Sequence, residues 1–190
     1  MLTDIKAAQA DMRAGYLSGG AGILASSMAW LAAAVVAWRG TSDQAVLTLF
    51  AGGVLIHPVS LVICKLLRAP GGHTKGNPLA SLAGATTFWL IFSLPLAYAA
   101  YLVRAQWFFP AMLLVIGGRY LTFATLYGMR IYWALGLVLA SGAYLIAASK
   151  LAPPLAAAAG GATELLFAVI VLSGHVRGRS EAGDRGAGAD

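Results

Sequence analysis

Charged residues are scarce in this 190-residue sequence, and their scarcity excludes most soluble proteins. Only 11% of the residues are Asp, Glu, Lys or Arg, whereas soluble domains usually contain about 25%. Hydrophobic residues make up 59% of the chain, and its mean hydropathy is +0.78. No separate soluble domain fits between the apolar segments, so the composition indicates a protein that lies in a lipid bilayer.

Cysteine is almost absent as well. Cys64 is the only one, which excludes an intrachain disulfide and a cysteine-rich metal site. His57 has no acidic neighbour and no second histidine on its predicted helix, so no metal site and no cofactor is predicted. Ser60 follows His57 by one helical turn but lacks the glycine neighbours of a serine nucleophile, and no catalytic residue is assigned.

Six apolar stretches are each long enough to cross a bilayer, which takes about 20 residues. The sequence therefore predicts an all-α fold, a polytopic membrane helical bundle with six transmembrane helices in a single domain over residues 1–176. Pro58 and Pro95 fall inside spans and predict kinks, because proline removes a helical hydrogen bond. The predicted spans are residues 16–38, 44–67, 78–103, 108–129, 131–148 and 154–176.

The two ends of the chain differ from the spans. Leu2, Ile5, Ala8 and Met12 share one helical face, which predicts a short N-terminal amphipathic helix at the membrane surface. Residues 177–190 are polar and poor in apolar side chains, which predicts a disordered cytoplasmic tail.

Basic residues predict how the chain is oriented. Thirteen Lys and Arg outnumber seven Asp and Glu, and because they gather at the ends of spans, they indicate membrane orientation and not nucleic-acid binding. The side that carries both termini has nine of them, namely Lys6, Arg13, Lys65, Arg68, Lys75, Arg130, Arg177, Arg179 and Arg185, against Arg39, Arg104 and Lys150 opposite. The sequence therefore predicts a multi-pass protein of the cell (inner) membrane with both termini cytoplasmic.

One arginine lies near the middle of an apolar span. Arg119 at such a position costs roughly 2.5 to 3.5 kcal/mol, so it needs a partner or a wet cavity. Glu164 is the one acidic residue inside an apolar segment. We therefore expect Arg119 and Glu164 to form a buried ion pair, either as part of a site or only to fix two helices in register.

Further polar residues are predicted at the same depth. His57, Arg119 and Glu164 each precede the basic residue that ends their span by eleven to thirteen residues. At about 1.5 Å per residue they lie roughly 16 to 20 Å from the inner boundary, near the bilayer centre. With residues at similar depth on the other spans, the predicted midplane polar layer is Arg119, Glu164, His57, Thr86 and Ser141, with Ser26 beside them.

Glycine pairs precede the polar residue on three of the spans. They predict close helix packing or, alternatively, local unwinding beside a cavity. The pairs are Gly52-Gly53, Gly117-Gly118 and Gly160-Gly161.

The loop after the second span is basic and rich in glycine. Arg68, His73, Lys75 and Asn77 are the residues there that could contact an anionic lipid headgroup, while Asn77-Pro78 also has the pattern of a helix start.

Several short motifs resemble those of an uncharacterised family of small bacterial six-span membrane proteins, a domain of unknown function. They are the amphipathic start, the segment 53–65 with Pro58, Asn77-Pro78-Leu79, Gly118-Arg119-Tyr120 and Tyr127-Gly128. The resemblance covers residues 1 to about 175 and implies the six-span architecture. An aromatic residue commonly stands in the family where this chain has His57, so no family-wide role is implied for His57.

Three functions remain open at this stage. The first is binding or passage of an unknown small solute or ion through a midplane polar cavity, with Arg119 as the positive site and Glu164 balancing it. The second is an enzyme that acts on a lipid or isoprenoid headgroup, which lacks the paired carboxylates or metal ligands usual for that chemistry. The third is a structural or regulatory subunit. The lipid bilayer is the predicted partner, nucleic acid is not, and a homo-oligomer is left open.

Overall fold

The computed structural model describes the backbone of residues 4–187 and the side chains of residues 4–176. Within that part of the chain, six helices are long and apolar enough to span a membrane, as the sequence predicts. Their bounds follow the predicted spans closely. The α-helices are α1 (Ile5–Gly15), α2 (Gly20–Arg39), α3 (Ser42–Leu66), α4 (Leu79–Val103), α5 (Phe108–Tyr127), α6 (Ile131–Ala148) and α7 (Pro153–Ala187).

The last helix is longer than the last predicted span. The apolar part of α7 ends at Val176, but its backbone stays helical to Ala187, through most of the segment predicted to be a disordered tail. No proline follows Pro154 in the sequence, so nothing there forces the helix to stop. Leu2, assigned to the amphipathic face, and residues 188–190 lie outside the described residues.

The helices pack in two groups of three. Helix α2 lies between α3 and α7, and α5 lies between α4 and α6. Contacts of α7 with α5 and α6 join the groups. We call the side on which α1 lies the α1 end, because the loops after α3 and α5 are on that side too.

Helices α3 and α4 are consecutive in the chain but make few close contacts with each other. They meet at the side away from α1, where the Tyr101 hydroxyl donates to the Asp43 carboxylate and the Phe50 and Tyr98 rings lie 6.5 Å apart. Elsewhere their faces carry exposed apolar side chains, such as Val54 and Phe92. Such faces suit the acyl chains of a bilayer.

The glycine pairs lie where helices approach closely. A Cβ atom on Gly52 would lie 2.6 Å from the Ala29 Cβ of α2, and one on Gly117 would lie 2.9 Å from the carbonyl oxygen of Gly136 in α6. The next residue of each pair, Gly53 or Gly118, has nothing within 4 Å of that position. Close packing therefore accounts for the first glycine of these two pairs.

A turn in the left-handed conformation leads into α2. Leu17, Ser18 and Gly19 have φ values of 52°, 56° and 85°, a conformation that costs roughly 1 to 2 kcal/mol for each residue with a Cβ. The Tyr132 hydroxyl donates a hydrogen bond of 2.6 Å to the Ser18 carbonyl oxygen and so holds this left-handed turn (residues 17–19) in place.

Helix α1 is docked on the bundle. Its apolar face buries Ala8 and Met12. On its flanks, Gln9 Nε2 donates to the Thr125 carbonyl oxygen at 2.7 Å, and the Arg13 guanidinium donates to the Tyr127 carbonyl oxygen. The predicted amphipathic helix is therefore present, and it packs against α5 and α4 at one end of the bundle.

The loop between α3 and α4 completes this docking. Asp11 accepts from the Thr74 backbone at 2.9 Å, from the Thr74 hydroxyl at 2.7 Å and from Asn77 Nδ2 at 2.7 Å. Asn77 Nδ2 also donates to the Ala8 carbonyl oxygen at 3.0 Å, while its Oδ1 accepts from the Leu79 N–H at the start of α4. Asn77 thus takes part in the start of α4 as predicted, although the helix begins at Leu79, one residue later than predicted.

Acid is expected to loosen α1. The hydrogen bonds from Asn77 and Thr74 lower the pKa of Asp11 below its ordinary value of 3.8. A carboxylate whose pKa falls on folding stabilises the fold above its unfolded pKa and loses that contribution as the pH falls through the folded pKa. Amide exchange in residues 5–15, corrected for intrinsic rates, should therefore be constant from about pH 5 to pH 8 and faster in stronger acid.

Asp11→Asn is the control for this prediction. The amide lacks the charge that titrates, so α1 should exchange faster at every pH and lose the acid dependence. Identical exchange profiles in Asp11→Asn and wild-type protein would contradict it.

Candidate functional site

Glu164 lies near the middle of the membrane part of α7 with 0% of its surface exposed. The Tyr120 hydroxyl on α5 donates to Glu164 Oε1 at 2.9 Å. The other carboxyl oxygen, Oε2, is buried without a hydrogen-bond partner. Ser26 on α2, also buried, brings its hydroxyl near the same carboxyl. Glu164, Tyr120 and Ser26 are called the Glu164 site below.

Arg119 lies on a different face of α5. Its Nη2 donates to the Thr87 hydroxyl on α4 at 3.3 Å, and its guanidinium carbon lies 5.3 Å from the centre of the Phe123 ring. Its Nε atom is buried and has no hydrogen-bond partner. This one long hydrogen bond leaves most of the N–H donors of the guanidinium without a partner.

The ion pair expected between Arg119 and Glu164 does not form in the structure. Successive residues of an α-helix point about 100° apart. Because Tyr120 points towards α7, Arg119 must point towards α4, and the phenol takes the place expected for the guanidinium. Glu164 is buried and Arg119 is half-buried, but the predicted pairing of the two side chains is wrong.

The other residues of the predicted polar layer are not gathered around Glu164. Thr86 is buried, but its hydroxyl donates to the Ala83 carbonyl oxygen of its own helix at 2.9 Å. His57 on α3 and Ser141 on α6 are exposed on the outer surface of the bundle. The described polar side chains therefore do not form a closed ring.

The residues proposed for a lipid headgroup do not converge either. Arg68 and Lys75 are exposed. His73 Nδ1 is hydrogen-bonded to the Tyr16 hydroxyl at 2.9 Å, and both groups of the Asn77 amide are used to hold α1 and start α4. Burial raises the pKa of Tyr16 above its ordinary value, which keeps this phenol neutral.

A column of aromatic rings adjoins the Glu164 site, and sequence reasoning missed it. The Tyr132 ring stacks between Tyr120, at 6.1 Å, and Tyr127, at 5.4 Å, and Phe123 packs edge-on against all of them. Tyr120 and Tyr127 are seven residues apart, with Phe123 between them. This spacing places the three on one side of α5 and is the signal that could have revealed the column.

The Glu164 site has the chemistry of a proton-binding group. An ionised carboxylate at this depth is costly unless it is paired with a cation or fully hydrogen-bonded. Glu164 has one phenolic donor and no ion pair. The carboxyl can therefore take up a proton or a small cation at low cost, whereas the bare anion is unfavourable.

A family model described as a family of unknown function (DUF7010) matches residues 5–173. The chain belongs to this family. This confirms the resemblance to an uncharacterised domain family, and the matched region contains α1, the Glu164 site and the aromatic column. No curated protein and no solved structure matches the chain.

Proposed function

We propose that this protein binds or passes a small solute or ion through the membrane and that Glu164 exchanges a proton in that process. One observation carries the proposal: the Glu164 carboxyl is fully buried at mid-depth, and Oε2 has neither a hydrogen bond nor an ion pair. Ionisable residues inside a membrane commonly mark ion pathways and proton relays.

Arg119 supplies a second polar centre with the opposite charge. Its buried Nε and its long bond to Thr87 leave donors for a ligand. A guanidinium prefers carboxylate or phosphate oxygens, so a small anionic solute is the ligand class that fits it. A proton on Glu164 and an anion at Arg119 together describe a proton-coupled anion carrier.

A structural or regulatory subunit is the second candidate. The Tyr120–Glu164 bond ties α5 to α7, and the Arg119–Thr87 bond ties α5 to α4, which is sufficient to set the packing of these helices. The headgroup enzyme has less support, because His73 and Asn77 already use their polar groups within the fold.

The proposed location is the cell (inner) membrane of a bacterium, with the α1 end in the cytoplasm. The excess of basic residues at that end supports this orientation.

Proton flux into liposomes is the test. Purified protein is reconstituted with an internal pH dye, and a potassium-valinomycin potential is applied with a panel of small carboxylates outside. Wild-type protein is expected to acidify the lumen with at least one anion, and Glu164→Gln should reduce this flux to that of protein-free liposomes, since an amide cannot release a proton.

Ser141→Ala is the matched control, because Ser141 is also in a membrane span but lies exposed on the outer surface. It should keep the wild-type flux. Equal flux in wild-type and Glu164→Gln protein, or none in wild-type protein with any anion, would leave the structural role as the better description.

A further inference from the structure

The interior of the bundle differs on the two sides of Glu164. Towards the α1 end it contains hydroxyl and imidazole groups from five elements of the structure. These groups are Tyr120 on α5, Ser26 and Ser27 on α2, Tyr132 on α6, Ser18 in the left-handed turn and His175 on α7.

Contacts link many of these polar groups between Glu164 and the α1 end. The Tyr120 hydroxyl bonds to Glu164, and the Tyr120 ring stacks on that of Tyr132. The Tyr132 hydroxyl bonds to the Ser18 carbonyl oxygen, and the Ser18 hydroxyl is 3.0 Å from His175 Nδ1. His175 is only half-buried, so the series ends near the surface of the α1 end.

The other half of the interior is apolar and tightly packed. Trp30, Phe109 and Leu113 are buried there, and the Trp30 and Phe109 rings are 5.9 Å apart. A Cβ atom on Gly160, one helical turn from Glu164, would lie 2.7 Å from Leu113 Cδ2 and 3.0 Å from Trp30 Cε3. A cavity of about 40 Å³ that reaches Gly160 is lined by apolar side chains except for Thr163, and Trp30 Nε1 is buried without a hydrogen-bond partner. These polar groups are too few to hold a chain of water molecules.

The polar half of the interior, which lies between Glu164 and the α1 end, is closed at the left-handed turn. Gly19 leaves no space beside the Tyr132 hydroxyl, since a Cβ atom there would lie 2.2 Å from it. Leu17 and Ser18 are held in a conformation that residues with a Cβ avoid. Closure therefore depends on a strained segment and on the hydrogen bond from Tyr132, both of which a local movement can release.

We infer that water and protons reach Glu164 from the α1 end alone, through the polar half of the bundle, and that the Tyr132–Ser18 contact closes this route. The inference rests on the proposed proton exchange at Glu164 and adds its direction. The charged or titratable groups along the route are Tyr120 and Tyr127 on α5, Tyr132 on α6 and His175 on α7, while α2 contributes only serines. Arg119 points towards α4 but its charge acts on Glu164.

Cysteine accessibility tests the direction without any measurement of flux. In a Cys64→Ala background, Ser26→Cys and Ala33→Cys place two buried thiols two turns apart on α2, one in each half. A small, charged, membrane-impermeant thiosulfonate is added to sealed vesicles that expose either the α1 end or the other end. Labelling is then measured by mass.

Ser26→Cys is expected to react from the α1 end only, and Ala33→Cys from neither end. Adding Tyr132→Phe to Ser26→Cys should speed labelling about fivefold, the factor expected for loss of one hydrogen bond to a buried carbonyl. An unreactive Ser26→Cys, a reaction from the far end, or equal labelling at both cysteines would overturn the inference.

The two proposals fail separately. One-sided labelling with unchanged flux in Glu164→Gln would retain the route and remove the proton exchange. Loss of flux in Glu164→Gln with no labelling of Ser26→Cys would retain the exchange and remove the route.

Discussion

Replacing Gly117 by leucine is expected to destabilise the folded protein strongly, whereas leucine at Gly118 should change its stability little. The α5 and α6 backbones touch at Gly117: a Cβ atom there would lie 2.9 Å from the Gly136 carbonyl oxygen and 3.2 Å from the Ala140 nitrogen. These are main-chain atoms inside a helix, so they cannot move aside as a flexible side chain can.

The cost can be bounded from known core substitutions. Overpacking costs about 1 to 3 kcal/mol even where side chains can adjust, so a backbone clash should cost at least about 3 kcal/mol. For a chain of this size that corresponds to a decrease in Tm of roughly 10 °C. Thermal unfolding in detergent measures the decrease in Tm, and size-exclusion profiles show how much of the protein remains folded.

Gly118→Leu is the matched control for this substitution, because it changes the same residue type one position along. Nothing lies within 4 Å of a Cβ atom on Gly118, and a leucine there would face the outside of the bundle. Equal Tm values for the two variants would contradict the close contact between α5 and α6.

Tyr120→Phe is the second substitution with a large expected effect. It removes the hydrogen bond from the Tyr120 hydroxyl to the Glu164 carboxyl and leaves both carboxyl oxygens buried. Loss of a partner from a buried polar group costs about 1 to 3 kcal/mol, and more if the group is charged. We therefore expect a decrease of about 2 kcal/mol in the free energy of unfolding.

A double-mutant cycle separates this bond from the loss of a hydroxyl in general. Adding Glu164→Met removes the carboxyl as well, and replacing both partners by apolar groups of similar size is often nearly neutral. Tyr120→Phe with Glu164→Met should therefore be more stable than Tyr120→Phe alone. Tyr144→Phe, at an exposed tyrosine of α6, is the control and should change the stability little. Additive effects of the two substitutions would argue against the bond.

The architecture could be predicted from the sequence because hydropathy reports span length directly. Each span is a run of apolar residues, and the depth of Arg119 or Glu164 follows from counting residues along a helix of known rise. The role of Asn77-Pro78 at the start of a helix was also predictable, because it depends on contacts between residues that are close in the sequence.

The direction in which each polar side chain points could not be predicted in this way. Whether Arg119 or Tyr120 faces Glu164 depends on the rotation of α5 about its axis, which is set by contacts such as Gly117 with Gly136 in α6. The exposure of His57 likewise follows from the position of α3 at the edge of the bundle, and a single sequence does not state helix order. Position along a span can therefore be counted from the sequence, whereas orientation cannot.

The contacts of α1 determine when this helix can dock during synthesis and membrane insertion of the protein. Helix α1 is translated well before its partners Thr74, Asn77, Thr125 and Tyr127. It cannot find its place until the fourth crossing has been inserted. Until then its apolar face must be covered by the lipid surface or by a chaperone. Docking of α1 is therefore a late step, which occurs only after the fourth span is in place.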